Sequence, residues 1–418
     1  MKIDLQTPAR KRTVAVVVLV LAALYLAEAT REFAATWLGS RVDFISLRRA
    51  AWLDPGDADY HDHLGRYYDL VVRDPSSAIA HYKTASQLNP HSARYWFDLA
   101  GAYQVLGDTA NQTMALERAI QADAMTPDVA WEAANLYLVQ GENEKALREF
   151  RVVMANDASL ANASIQFCWR IDPDVDSLLR DVVPAYSDAY VAFLNLLRQK
   201  EQTAGTFKVW DALIATNQPF EVRQVYDYFR YLILHKEVDQ AVKVWQESAG
   251  RFGLTAYLPS STNLVVNHAF SQDVLNAGFD WQYQKQSGVT LTLDPSDFHA
   301  GRRSLLIAFD GPGIGDAGIY QLIPVQPNTA YEFSGYYKNG DMEGAGGPHL
   351  TIQDMYSQAV YYESDELKDA GFWKSVDGEF TTGPDCKLII LHVRRLPAGS
   401  PIRGKLWIND FHLARKQS

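Results

Sequence analysis

ARYWFDLAGAYQVLGDTANQTMALERAIQA, residues 93–122, is the stretch whose reading decides the fold. Its large apolar residues recur at spacings of three and four, Trp96, Leu99 and Tyr103 and then Leu116, which is the period of a helix and not of a strand. Gly107 divides the run, and a glycine is the residue that ends a helix in the left-handed conformation at least cost. Two helices joined by so short a turn must lie side by side. They pack closely only where small residues meet at the crossing, as at Ala100.

The same arrangement recurs with a period near 34. Upstream stand Leu64, Gly65, Tyr68, Ala78, Tyr82, Ala85 and a helix-terminating Pro90; downstream stand Ala133, Ala134, Tyr137, Gly141, Ala146, Phe150 and Val153. These small and large positions resemble tetratricopeptide repeats, with Gly65, Tyr68, Ala78, Ala100, Tyr103, Ala134, Tyr137 and Ala146 at the packing positions. Leu47, Ala50, Leu53, Asp54 and Pro55 suggest a partial earlier unit. The resemblance covers residues 31–158. Between 159 and 258 the pattern degenerates but persists: Phe207, Trp210 and Leu213, then Ala241, Val244 and Trp245, read as second helices, with 188–200 and 220–234 as first helices. The expected outcome is an α-solenoid whose concave face binds a protein partner.

Arg10, Lys11 and Arg12 precede an uncharged run of 15 residues, Thr13 to Ala27, closed by Glu28. Residues 1–12 read as a cytoplasmic tail and 13–30 as a transmembrane anchor or uncleaved signal. A removed signal peptide competes, because Ala27-Glu28-Ala29 spells a cleavage pattern. The retained anchor is preferred, since Ala34, Ala35, Trp37 and Leu38 extend the helix and Trp37 suits the headgroup layer. The charge is +3 before the run, with Lys2 and Asp4 counted, and −14 after it. Basic residues stay on the cytoplasmic side, so the bulk of the chain is expected outside the cytoplasm, on the periplasmic side in a Gram-negative cell, held by a single membrane pass.

From about 262 the composition changes. Short alternating runs, 288–293, 304–309, 330–337, 349–353, 387–394 and 405–408, are separated by Gly- and Asp-rich turns, and they argue an antiparallel β-sandwich. Asn263 to Phe270, Gly278 to Trp281, Gly301 to Leu305 and Gly404 to Asp410 resemble jelly-roll carbohydrate-binding modules over residues 262–418. The whole is therefore expected to be multidomain, an α-solenoid followed by a jelly roll. Strand alternation turns Tyr331, Phe333, Tyr337, Leu350, Ile352, Ile389, Leu391 and Val393 inward. If the strands are neighbours, Tyr336, Gln353, His392 and Arg394 then line one outer face: an aromatic platform beside planar hydrogen-bonding groups, which suits a sugar ring and its hydroxyls. An ordinary solvated sheet face is the competing reading. The resemblance also implies a structural calcium near the ends of the sandwich, where Asn267 and Asp410 match.

With 39 Lys and Arg against 50 Asp and Glu, the net charge of −11 argues against nucleic-acid binding. Cys168 and Cys386 are too few for a disulfide framework or a four-cysteine zinc site and read as two unrelated buried thiols. His61 and His63 would point to different faces of a helix, so Asp57 to His63 reads as a solvated helix start, and the Gly311, Gly313, Gly315 cluster with Asp310 and Asp316 as a turn. No phosphate loop, nucleophile elbow, HExxH stretch or separable carboxylate pair is found, so the chain is expected not to be an enzyme. Two functions fit: a membrane-anchored extracytoplasmic scaffold that binds protein partners in cell-surface polysaccharide assembly or export, or a glycan-binding protein in which the solenoid is a spacer.

Overall fold

The computed structural model describes residues 7–41 and 43–416. Of the expected tail 1–12, residues 1–6, with Lys2 and Asp4, lie outside the described residues, as do 417–418 of the expected sandwich. The chain forms two compact units, one ending at Leu196 and one starting at Leu197.

The first unit opens with α1 (Pro8–Gly39), 32 residues long. At 1.5 Å per residue it measures about 48 Å, against about 30 Å of bilayer hydrocarbon. Among the described residues it is the one helix long and apolar enough to cross a membrane, as an anchor or as a signal sequence. Then come α2 (Phe44–Leu53), α3 (Ala58–Tyr67), α4 (Pro75–Leu88), α5 (Ala93–Leu106), α6 (Thr109–Ala122), α7 (Pro127–Gln140), α8 (Asn143–Asn156), α9 (Ala161–Ile171) and the short α10 (Val175–Ser177). The tetratricopeptide-like hairpins α3/α4, α5/α6 and α7/α8 close on small residues. Ala78, Ala100, Ala134 and Ala146 are wholly buried, with Tyr103 and Tyr137 beside them. Gly65 is also buried. Tyr68 departs from the set. It is only half-buried, in a π-helical turn Tyr68–Val72, stacked on His81 at 5.4 Å.

That π turn absorbs one extra residue. The Asp108 amide donates to the Tyr103 carbonyl at 3.0 Å and the Glu142 amide to the Tyr137 carbonyl at 2.9 Å, five residues back in each hairpin. In the first hairpin the Asp74 amide makes the same bond to the Tyr68 carbonyl at 2.9 Å across six residues. Gly107 and Gly141 are left-handed at this turn, as expected, and Arg73 takes the same conformation at φ 62°.

The second unit follows α11 (Ser187–Gln199), which crosses the boundary, with α12 (Thr203–Ala215), α13 (Val222–Leu234) and α14 (Val238–Arg251). Two more turns of the same kind occur here, Gln202 amide to Leu197 carbonyl and Glu237 amide to Leu232 carbonyl, both 2.9 Å, so the hairpin design continues through the weakened repeats. The strands are β1 (Trp281–Tyr283), β2 (Val289–Asp294), β3 (Ser304–Asp310), β4 (Asp316–Pro324), β5 (Ala330–Gly344), β6 (Pro348–Asp354), β7 (Val360–Glu363), β8 (Lys374–Thr381), β9 (Leu388–Arg395) and β10 (Ile402–Arg415). They form two antiparallel five-stranded sheets, β1-β4-β9-β6-β7 and β2-β3-β10-β5-β8, packed as a sandwich. The expected inward residues are all buried in its core, and Trp281 joins them between the rings of Phe270 at 5.1 Å and Phe411 at 5.3 Å.

The helices of this unit are fitted to the sandwich. A Cβ at Gly278 would fall 2.1 Å from the Trp245 ring, and Phe229 meets Phe279 edge-on at 4.8 Å. The Tyr356 hydroxyl donates to the Ile233 carbonyl at 2.9 Å. Cys168 and Cys386 are buried free thiols, and burial pushes both up to about 12.

Candidate functional site

The β1-β4-β9-β6-β7 sheet carries one continuous row of cross-strand neighbours on its outer face: Gln282, Tyr320, His392, Thr351 and Glu363, one from each strand. Neighbours on one face of a sheet are the side chains near enough to act together. Phase is set by burial of the alternate residues, Ile319, Leu391 and Ile352, in the core.

Tyr320 donates its hydroxyl to Gln282 Oε1 at 3.1 Å, and burial raises its pKa, an effect partly offset by the nearby Arg230 guanidinium. His392 Nδ1 lies 2.7 Å from Asp316 Oδ2. With that nitrogen held by the carboxylate, the ring is oriented, and Nε2 is left buried without a hydrogen-bond partner; Thr351 Oγ1, on the adjoining strand, is buried and unpartnered as well. Such groups cost free energy unless something supplies the missing bond.

A cleft of about 660 Å³ opens over the middle of this row, at Tyr320 and His392. Its floor includes Tyr320, Leu322, Ile390 and His392; one wall is α13, through Tyr226, Phe229, Arg230 and Ile233. Asn276 to Gly278, Tyr283, Gln284 and Gln286 complete the rim. Aromatic rings, amides and one guanidinium around a groove are the groups that stack on sugar rings and bond to hydroxyls; the Asp316 residue, its carboxylate engaged by His392, is on the lining as well.

The expected four-residue face is divided by the structure. Gln353, His392 and Arg394 do share the outer face of one sheet, on β6 and β9. Tyr336 does not join them. It lies on β5 in the opposite sheet, stacked on His299 with ring centroids 3.6 Å apart. Alternation along a strand fixes which way a residue faces, but not which layer of a sandwich the strand enters. Nor are the three solvated: His392 and Gln353 are 7% and 6% exposed, and the Gln353 amide donates to Gln358 Oε1 at 2.6 Å. Arg394 is half-buried, two residues beyond the row.

The residues suggested for calcium do not fit that ion. Both ends of the Asn267 amide close a local loop on the Gln272 backbone, at 3.1 and 3.0 Å. The two Asp410 oxygens face His268 Nδ1 and His299 Nδ1, each at 3.2 Å. Calcium wants six to eight oxygens, and here a single carboxylate is flanked by nitrogens. Among the described residues no group of three His, Cys, Asp or Glu is placed to hold a metal ion. His61 lies on a helix as expected, its Nδ1 3.4 Å from His81 Nδ1, but the helix start is not a solvated one: Asp62 within it is fully buried and His61 half-buried.

Residues 262–395 match the family model for a carbohydrate binding domain. The match contains Gln282, Asp316, Tyr320, Thr351 and His392, and it excludes α13. No curated protein matches the chain. Among solved structures, a CBM4 module is similar at 13% identity over 36% of this chain and 99% of its own, with a TM-score of 0.29. PilF of Pseudomonas aeruginosa is similar at 15% identity over 54% of this chain and 94% of its own, TM-score 0.27. MamA is similar at 18% identity over 41% and 84%, TM-score 0.24. The reading of the cleft rests on its own geometry and on the matched carbohydrate binding domain.

Asp316, Tyr320 and Arg230 had no part in the expected site. Asp316 reads as part of a glycine-rich turn, and it does begin β4 directly after Gly315. β4 escapes a search for alternation because its inward position Gln321 is polar: its amide exchanges hydrogen bonds with the Val266 backbone at 2.8 and 3.0 Å. Arg230 lies on a helix about 90 positions before Tyr320, with no sequence signal to join the two.

Proposed function

We propose that the protein is a non-catalytic, membrane-anchored glycan-binding scaffold whose bulk lies outside the cytoplasm and whose outer sheet row, Gln282-Tyr320-His392-Thr351, holds the sugar. The observation that carries this is the pair of buried, unpartnered polar atoms, His392 Nε2 and Thr351 Oγ1, on adjoining strands, with the His392 residue on the lining of a cleft floored by Tyr320. Sugar hydroxyls both donate and accept, so they would satisfy such atoms while Tyr320 meets the apolar ring face. The α1 helix and the basic residues Arg10, Lys11 and Arg12 near its start support the membrane anchor. The test is titration of the full chain in detergent against a broad polysaccharide panel. Binding is expected, with a loss of at least tenfold on Tyr320→Ala or His392→Ala and no change in melting temperature. Flat titrations across the panel would remove the reading.

A protein partner on the hairpins is supported by a different observation. Val71, Val105 and Val139 recur at a spacing of 34 near the ends of successive first helices, each about two-thirds exposed, at 63%, 67% and 66%. Exposed apolar groups repeated in register form a ridge that a protein surface would cover. A role in assembly or export of cell-surface polysaccharide follows if both surfaces are used together. Crosslinking in membranes should recover a partner that the double variant Val105→Glu, Val139→Glu loses; equal recovery by the variant would dismiss the ridge.

A further inference from the structure

The wall that α13 lends to the cleft lies outside the matched carbohydrate binding domain, so it is something this chain adds to the sheet. Its chemistry is specific. Arg230 is exposed at the cleft, and it has no carboxylate partner among the described residues, in a chain with an excess of acidic groups. Several other cationic side chains of this unit are already paired across elements: Lys243 with Asp211, Lys387 with Asp239, Arg303 with Asp273 and Lys338 with Asp297. Arg230 instead acts on the Tyr320 phenol across the groove. On the cleft floor His392, 7% exposed, is tied through Nδ1 to Asp316, and its Nε2 is buried without a partner.

From this arrangement we infer that the cleft selects acidic polysaccharides, with Arg230 holding the carboxylate of a uronic acid residue while the sheet row binds the ring that carries it. A guanidinium offers two parallel N–H donors that match a planar carboxylate, a fit that a neutral sugar cannot exploit. His392, whose Nε2 has no partner, is on the lining of the same groove. The net charge of −11 disfavours indiscriminate adhesion of an acidic polymer, so selection falls to this local pair. The inference rests on the glycan reading given above and goes beyond it in naming the ligand class.

The test compares polygalacturonate, alginate and hyaluronan with the same polymers after carboxyl reduction, which turns each uronic acid into the corresponding neutral sugar, together with neutral xylan and β-glucan. The full chain in detergent is titrated as wild type, Arg230→Gln and Arg230→Lys. At least one acidic polymer is expected to bind tenfold or more tightly than its reduced form. Arg230→Gln should erase that difference, Arg230→Lys should restore part of it, and the melting temperature should stay unchanged. Equal binding of acidic and reduced forms, or acidic binding indifferent to Arg230→Gln, would overturn the inference. Binding of neutral glycans with no acidic preference overturns it while leaving the glycan site standing, whereas no binding to any polymer removes both.

Discussion

Gly65 of α3 lies against the ring of Tyr82 on α4, so close that a Cβ added at Gly65 would fall 2.6 Å from two ring carbons. This contact sets how tightly the first hairpin closes, because Tyr82 is only 1% exposed and has nowhere to retreat. Gly65→Ala should therefore destabilise the chain by about 1–3 kcal/mol, the usual cost of overpacking. Gly101, inside α5 with open space around its missing Cβ, is the control. Gly101→Ala should stabilise by about 0.5–1 kcal/mol through helix propensity alone. Urea unfolding of the two variants side by side checks both signs.

Arg73 is a second place where one residue carries a backbone demand. It occupies the left-handed position that Gly107 and Gly141 fill in the next two hairpins. A side chain there costs energy that glycine does not incur, set against the greater entropy glycine loses on folding. Arg73→Gly should raise stability by up to about 1 kcal/mol, while Gly141→Ala should lower it by about 1 kcal/mol. Differential scanning calorimetry on the full chain would show melting shifts of opposite sign; a fall for Arg73→Gly would mean that the arginine makes up for its strain in another way.

The same position explains what was legible in the sequence. Where the turn uses glycine, at 107 and 141, helix ends are readable; where it uses Arg73, Glu201 or Lys236, the backbone is left-handed all the same and the signal is gone. The helical period survived because buried alanines and aromatics must keep their spacing whatever the turn residue. In the sandwich, alternation placed Leu350, Ile352, Leu391 and Val393 inward correctly. It could not show that Tyr336 and His392 belong to different sheets, since long-range strand order is set by contacts far apart in the chain. Nor could it show that outward residues such as His392 would be covered, because the cover comes partly from α13.

Asp280 gives the second unit a pH dependence with a definite sign. Its side chain is wholly buried next to Trp281, and burial pushes the carboxyl up to about 6, although the Leu275 amide donates to it at 2.7 Å. The folded pKa is above the unfolded value of 3.8, so the folded state holds the proton more tightly. Stability from this group is therefore greatest below about pH 4, falls as the pH rises through 6, and is flat beyond, a span of about 3 kcal/mol. Asp280→Asn should flatten this part of the profile. Unfolding followed at pH 4.5, 6 and 8 in wild type and variant isolates the difference, and parallel profiles would assign the slope elsewhere.

Asp62 in the first unit is raised in the same direction, but its fate also depends on the cations beside it. The carboxylate is fully buried on α3, and burial, reinforced by Asp98, pushes it up to about 7. Arg66 at 3.3 Å and Arg94 at 3.4 Å pull the other way, and Arg66 also donates to Asp98 at 2.9 and 2.7 Å, tying α3 to α5. Arg66→Gln leaves two acids facing each other with one cation fewer. Above pH 7, where both are ionised, the loss should be about 1 kcal/mol, kept modest because Arg66 is 40% exposed to solvent. Near pH 5.5 Asp62 carries its proton and the repulsion is absent, so the same variant should cost less, with the loss of the two bonds to Asp98 remaining. The expected signature is a destabilisation that grows with pH, measured as the shift in urea midpoint from pH 5.5 to pH 8.5. A constant shift would mean that Arg66 acts by packing its stem between the helices and not by charge.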